Sequence, residues 1–130
     1  MSADLLTHVD DRLSTARMSL DLRLRIHLLV AELLAAPRYA SRCAAAARLA
    51  GVLDAELLLV RDADASDPAE ALALGVARKL VLQRGYVPAQ ELRAVRLAGF
   101  GAAGLLDIVG EVSGATLVAY SEKVSEEGDV

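Results

Sequence analysis

The chain has 130 residues, a formal net charge of −4, 55% hydrophobic residues and only 3% aromatics. That length suits one compact domain with a real core, and the acidic balance speaks against nucleic acid, which selects clustered basic residues. A single cysteine excludes an intrachain disulfide framework and suits a reducing cytoplasm.

The N-terminus has no basic region of a secretory signal, and no apolar run approaches the ~18 residues of a membrane span. A soluble, cytoplasmic protein with no membrane partner is therefore expected. The core must be packed from Leu, Val and Ala, which favours helices whose axes approach closely. The apolar fraction exceeds the usual ~45–50%, and the surplus implies subunit contacts, hence a homo-oligomer.

Gly, Pro and Asp divide the chain into helical blocks, giving an expected all-α bundle of six to seven helices. A first amphipathic helix spans about Asp4 to Ala16. The second runs from Ser19 to Ala35, with Leu20, Leu24, Leu28 and Ala31 on one stripe. Its start, Leu20-Asp-Leu-Arg-Leu-Arg-Ile26, alternates at period two like a strand. Leu, Arg and Asp carry little β propensity, so a helix is preferred.

A third helix begins near Pro37 and stops at Gly51, a left-handed cap. The fourth, Asp54 to Val60, takes Asp54 as its N-cap. Ser66 or Asp67 caps a fifth, from Pro68 to Arg84, closed by Gly85. Pro88 opens a sixth that Gly99 closes, and the last spans Gly101 to Val124. Residues 1–124 form a single domain, and 125–130 an acidic, frayed tail. Arg48-Leu-Ala-Gly51 and Arg96-Leu-Ala-Gly99 repeat one ending, read as the same glycine-capped turn used twice.

The order of the blocks over about residues 20–124 resembles the carboxymuconolactone decarboxylase superfamily, which includes the AhpD-type alkylhydroperoxidases. The resemblance is carried by Asp67-Pro-Ala-Glu, Ala77-Arg78, Arg84-Gly85 and Ala98-Gly-Phe100 at similar separations. It implies an AhpD-like helical fold and a homo-oligomer, a trimer or hexamer. In the AhpD type, Cys-x-x-Cys-x-x-x-His precedes the glycine corresponding to Gly51, and a glutamate lies on the preceding helix. With Gly51 fixing the register, the His position is Cys43, the two Cys positions are Tyr39 and Ala36, and the Glu position is Leu24. All four groups are missing, and one cysteine cannot run an intrachain thiol–disulfide cycle. Peroxidase activity is not expected.

What remains is a pocket lined by Leu24, Ala36, Tyr39 and Cys43, with a small apolar or carbonyl ligand. Cys43, flanked by Tyr39, Ala40, Ala46 and Ala47 on its helix, is read first as a small buried hydrophobe, with a single-thiol redox role as the alternative. His27 follows Leu24 by three residues and could face the same pocket, recreating a base–thiol pair with Cys43. A solvated or interface histidine is the plainer reading. Tyr39 either fills space or orients a ligand as a proton donor.

No metal-ligand spacing, phosphate loop or serine elbow occurs, so no cofactor and no metal are expected. Gly110 and Gly114 lie on one face of the last helix and suit close approach by another helix, either the pocket helix or a neighbouring subunit. Two functions follow. The leading one is a non-peroxidase binding, accessory or assembly protein. The other is a divergent decarboxylase, isomerase or cyclase with His27, Tyr39 and Arg42 around a carbonyl or lactone substrate. Convergence of His27, Tyr39 and Cys43 on one reachable cavity would favour the enzyme.

Overall fold

A computed structural model describes residues 18–127. The expected first helix and His8 fall outside these residues. The described chain is all-helical, with no strand among the described residues. Helix α1 spans Leu20–Leu33, α2 Pro37–Leu49, α3 Asp54–Leu59, α4 Pro68–Leu82, α5 Ala89–Val95 and α6 Gly101–Glu127. A 3-10 turn, Val60–Asp62, follows α3, and a π turn, Arg96–Phe100, joins α5 to α6. Because α5, the π turn and α6 make one kinked run, five separate helices are described, against the expected six to seven.

Helix α1 is the axis of the fold, packed against α2, α4 and α6. Ser19 caps it by accepting from the Leu22 amide, and the period-two stretch is helical throughout. The expected stripe needs correction. Leu20 is exposed and Leu24 half-buried, whereas Leu22, Ile26 and Leu29 form the inner line. A helix covered on several sides has no single apolar stripe to read.

Helix α2 ends as its sequence predicts. Gly51, at φ 97°, donates to the Arg48 carbonyl at 3.0 Å, and Val52 donates to the Ala47 carbonyl at 2.9 Å. This pair of bonds is a Schellman turn, and buried Val52 folds back over it. The second copy of the motif behaves differently. Gly99 takes φ 114° inside the π turn, and the helix resumes at Gly101 instead of ending. Phe100, buried beneath the kink, gives the chain a reason to continue.

Other boundaries shift by a residue or two. Leu53, not Asp54, is the N-cap of α3, and Asp54 pairs with Arg48 at 2.8 Å. Asp67 caps α4 by accepting from the Ala69 amide at 2.9 Å. Helix α4 ends at Leu82, two residues before the expected Arg84, which itself sits at φ 55° beside Gly85. Helix α6 runs past Val124 to Glu127, because Glu122 and Glu126 find partners on α2.

The kinked run also revises the hydropathy reading. Within Ala89–Glu126 an 18-residue window has a mean hydropathy of 1.4 and passes for a membrane span by length and composition alone. Leucine, isoleucine, valine and alanine supply that hydropathy, in a run broken by glycines and by Asp107 and Glu111.

Candidate functional site: a Glu–His–Tyr chain across three helices

The core is apolar except at two places. In the first, Arg25 on α1 is 1% exposed and ties three elements together. Its guanidinium donates to Glu70 of α4 at 2.8 Å and to Glu56 of α3 at 3.2 Å, with Asp21 at 3.7 Å. Glu56 also accepts from the Ser66 hydroxyl and amide, and these bonds, with Arg25 assisting, hold its carboxyl below the ordinary range. All of these groups serve packing of α1 against α3 and α4.

The second polar place joins α1, α2 and α6. His27 Nε2 lies 2.8 Å from Glu111 Oε1, and His27 Nδ1 lies 2.5 Å from Tyr39 Oη. A carboxylate only accepts, so Nε2 carries the proton and donates to Glu111. In the neutral ring Nδ1 is then an acceptor, and Tyr39 donates to it. The rings meet edge to face, with centroids 6.0 Å apart at 70°. His27 and Glu111 side chains keep 20% and 22% exposure, so the chain sits at the rim of the core.

Tyr39 is fixed from both ends. Its phenol is held by His27, and its own amide donates to Glu122 Oε1 at 2.7 Å. The Arg38 amide donates to the other oxygen of Glu122 at 3.2 Å. Ala36, the N-cap of α2, has no side-chain acceptor. The carboxylate that satisfies the first turn of α2 therefore comes from α6, where it also complements the helix dipole. Arg38 adds an ion pair to Glu126 at 3.0 Å.

Cys43 lies one turn after Tyr39, and the thiol and the phenol are close enough to influence each other's titration. Burial pushes the thiol above its usual range, and the opposing influences of Tyr39 and Arg42 are smaller. Burial also drives the Tyr39 phenol up to about 12, with Cys43 adding to the rise. At neutral pH both groups hold their protons. A depressed thiol pKa, which a redox sensor would need, runs opposite to this arrangement.

The structure thus brings His27, Tyr39 and Cys43 together, but as packed partners. Leu24, Tyr39 and Cys43 belong to the main core, while Ala36 joins Ala31 and Ala119 in a smaller one against which Tyr39 also packs. Neither of the two clefts flanking α2 is lined by Leu24, Ala36, Tyr39 or Cys43. The larger, about 690 Å³, runs between α2 and α6 and is lined by Pro37, Arg38, Ser41, Arg42, Ser121 and Glu122 among others. Arg42 is the link. It lines that cleft, and its guanidinium carbon stands 5.5 Å from the Tyr39 ring centroid. Among the described residues Arg42 has no carboxylate partner.

Glu111 is the site residue that sequence reasoning missed. It stands 84 positions from His27, and only the parallel run of α1 and α6 brings them together. Asp107, one turn earlier on α6, meets Arg23 of α1 at 3.2 Å. Asp107 and Glu111 recur at the same four-residue spacing as Arg23 and His27, and that match was the available signal. Among the described residues no group of His, Cys, Asp and Glu is arranged to hold a metal ion. No protein-family model, no curated protein and no solved structure matches the chain.

Proposed function

We propose that this protein binds a small carboxylate-bearing carbonyl compound at the α2–α6 cleft without turning it over. The observation that carries the reading is Arg42, which lines the cleft against the Tyr39 ring and has no carboxylate partner among the described residues, while Tyr39 itself does not line it. A second reading, a proton-transfer isomerase, rests on the Glu111–His27–Tyr39 hydrogen-bond chain, whose order follows the logic of a carboxylate–histidine–hydroxyl triad. As the Tyr39 oxygen takes a proton from a substrate carbon, the phenolic proton passes to His27 Nδ1. Glu111 steadies the resulting imidazolium through Nε2. Reversal returns one proton to the substrate at the same or a neighbouring atom, so no oxidant or external acid is consumed. The high phenol pKa makes the transient phenolate a strong base, and the histidine is what makes its formation accessible. Arg42, free on the cleft side, anchors the substrate's carboxylate.

The ancestry suggested by the carboxymuconolactone decarboxylase resemblance remains part of this second reading, with proton transfer in place of dithiol chemistry. Binding without turnover leads because the relay residues do not themselves line the cleft.

The two readings separate in D2O. Wild-type protein is incubated with a panel of small 2-oxo and 3-oxo acids and lactones, and loss of the proton signal next to the carbonyl is followed by NMR. Exchange no faster than buffer is expected, and exchange above buffer that fell by roughly 10²–10⁴-fold in Tyr39→Phe and His27→Ala would hand the site to the isomerase reading. Arg42→Ala should weaken substrate binding while leaving the relay intact. Saturable binding sensitive to Arg42→Ala, with exchange no faster than buffer for any compound, would leave the binding reading in possession.

A further inference from the structure

Helix α6 is apolar on two opposite faces. Its inner line, Gly104, Ile108, Val112, Ala115 and Ala119, is buried in the core. Its outer line carries Leu106 at 71% exposure, Leu117 at 69%, Tyr120 at 55%, and Val109 and Val124, also exposed. The acidic residues Asp107, Glu111, Glu122 and Glu126 occupy neither line, being turned to α1 and α2. A helix apolar all round is normally enclosed all round, and here one side has no cover among the described residues.

The glycines sharpen the point. Gly110 and Gly114 lie exposed on the outer side, with nothing within 4 Å of where a Cβ would stand. No described residue approaches them, so the pocket helix is not their partner. Each weakens a solvent-facing helix by about 1 kcal/mol relative to alanine.

We infer that the outer face of α6 binds a second copy of this chain, with the two α6 helices antiparallel and crossing at Ser113. That register is self-complementary in size. It sets Leu106 against Tyr120, Val109 against Leu117 and Ala102 against Val124, while the small residues Gly110, Ser113 and Gly114 meet where the axes are closest. Beside the helix, a groove of about 460 Å³ between α6 and the end of α4 is lined by Leu80, Gly85, Val109, Ser113, Leu117 and Tyr120. The partner's side chains enter this groove. From Leu106 to Val124 the strip is ~28 Å long, and with the groove's far shoulder it covers on the order of 700 Å². A standard stable interface takes about 800 Å² from each partner, so the face is of the size a dimer needs.

The test uses the full chain. Analytical ultracentrifugation should give twice the 13.7 kDa chain mass, and Leu117→Glu should weaken the pair by about 100-fold or more. Leu117 is mostly exposed, so the variant should keep the wild-type helical circular dichroism. Crosslinking supplies an independent arm in a Cys43→Ala background. Ser113→Cys should oxidise readily to a covalent dimer. Leu106→Cys should not, because its two copies stand ~10 Å from the crossing residue on opposite sides, ~21 Å apart. A wild-type chain monomeric at 100 μM (a chosen test concentration, roughly the weak-dimer limit) overturns the proposal. So does a dimer indifferent to Leu117→Glu, or a Leu106→Cys crosslink as efficient as that of Ser113→Cys. Monomers that instead sediment with phosphatidylcholine vesicles through Leu117 would assign the face to a lipid surface and overturn it equally.

Discussion

His27 has both ring nitrogens committed, which makes it the best-defined side chain on the polar rim. Cys43, by contrast, is defined by what surrounds it. Its thiol is raised chiefly by burial, so the thiolate is scarce at neutral pH. Alkylation by iodoacetamide should therefore be slow at pH 7 in the folded protein and fast in urea. In the folded state the rate should still be climbing with pH beyond the ordinary thiol range, and a plateau near pH 7 would contradict the burial argument. His27, Tyr39 and Cys43 were legible in the sequence because each is a rare residue on a recognisable helix. Glu111 and Arg25 were not. One is a carboxylate among many, and the other looks like its exposed neighbours in the alternating Arg23-Leu-Arg25 run. Their roles depend on which helices meet them, and spacing along one helix carries no such information.

At the scale of elements, caps and breakers were readable and continuity was not. Ser19, Pro37, Gly51 and Asp67 act at the boundaries their chemistry predicts. Gly99 and Gly101 look like stops, yet the chain passes through them as a kink over Phe100. Helical glycines also differ in what surrounds them. A Cβ at Gly104 would stand 2.6 Å from Phe100 Cβ, whereas one at Gly75 in α4 meets nothing within 4 Å. Gly104→Ala should cost about 1–3 kcal/mol, since buried Phe100 must move. Gly75→Ala should stabilise by up to ~1 kcal/mol through helix propensity. Urea unfolding of the two variants checks both signs, and equal midpoints would show that the contact at Gly104 relaxes freely.

For the whole molecule, the all-α class followed from composition, but its arrangement around α1 did not. Arg25 is the clearest case, because it couples α1 to α3 and α4 through two glutamates. Arg25→Ala removes the cation and leaves Glu56 and Glu70 facing each other's elements without it. A loss of about 3 kcal/mol is expected, lowering the melting midpoint by on the order of 10 °C. The acid limb carries the same signature. Glu56 is held below its usual pKa, so its stabilising contribution is present above the unfolded carboxylate pKa and is lost as pH falls through the folded value. Glu56→Gln should flatten that part of the acid decline, and an unchanged decline would place the cause elsewhere.

The rungs that tie α1 and α2 to α6 recur at a constant offset: Arg23 to Asp107, His27 to Glu111 and the Arg38 amide to Glu122 are each 84 positions apart. During synthesis this has a consequence in time. Until α6 leaves the ribosome, Arg23 and His27 lack their carboxylates and the first turn of α2 has no acceptor for its amides. Helix α1 is made before every other described helix and is the last of them to be completed. A nascent chain stopped before Gly101 would present its axis helix with one side open, a natural target for chaperones.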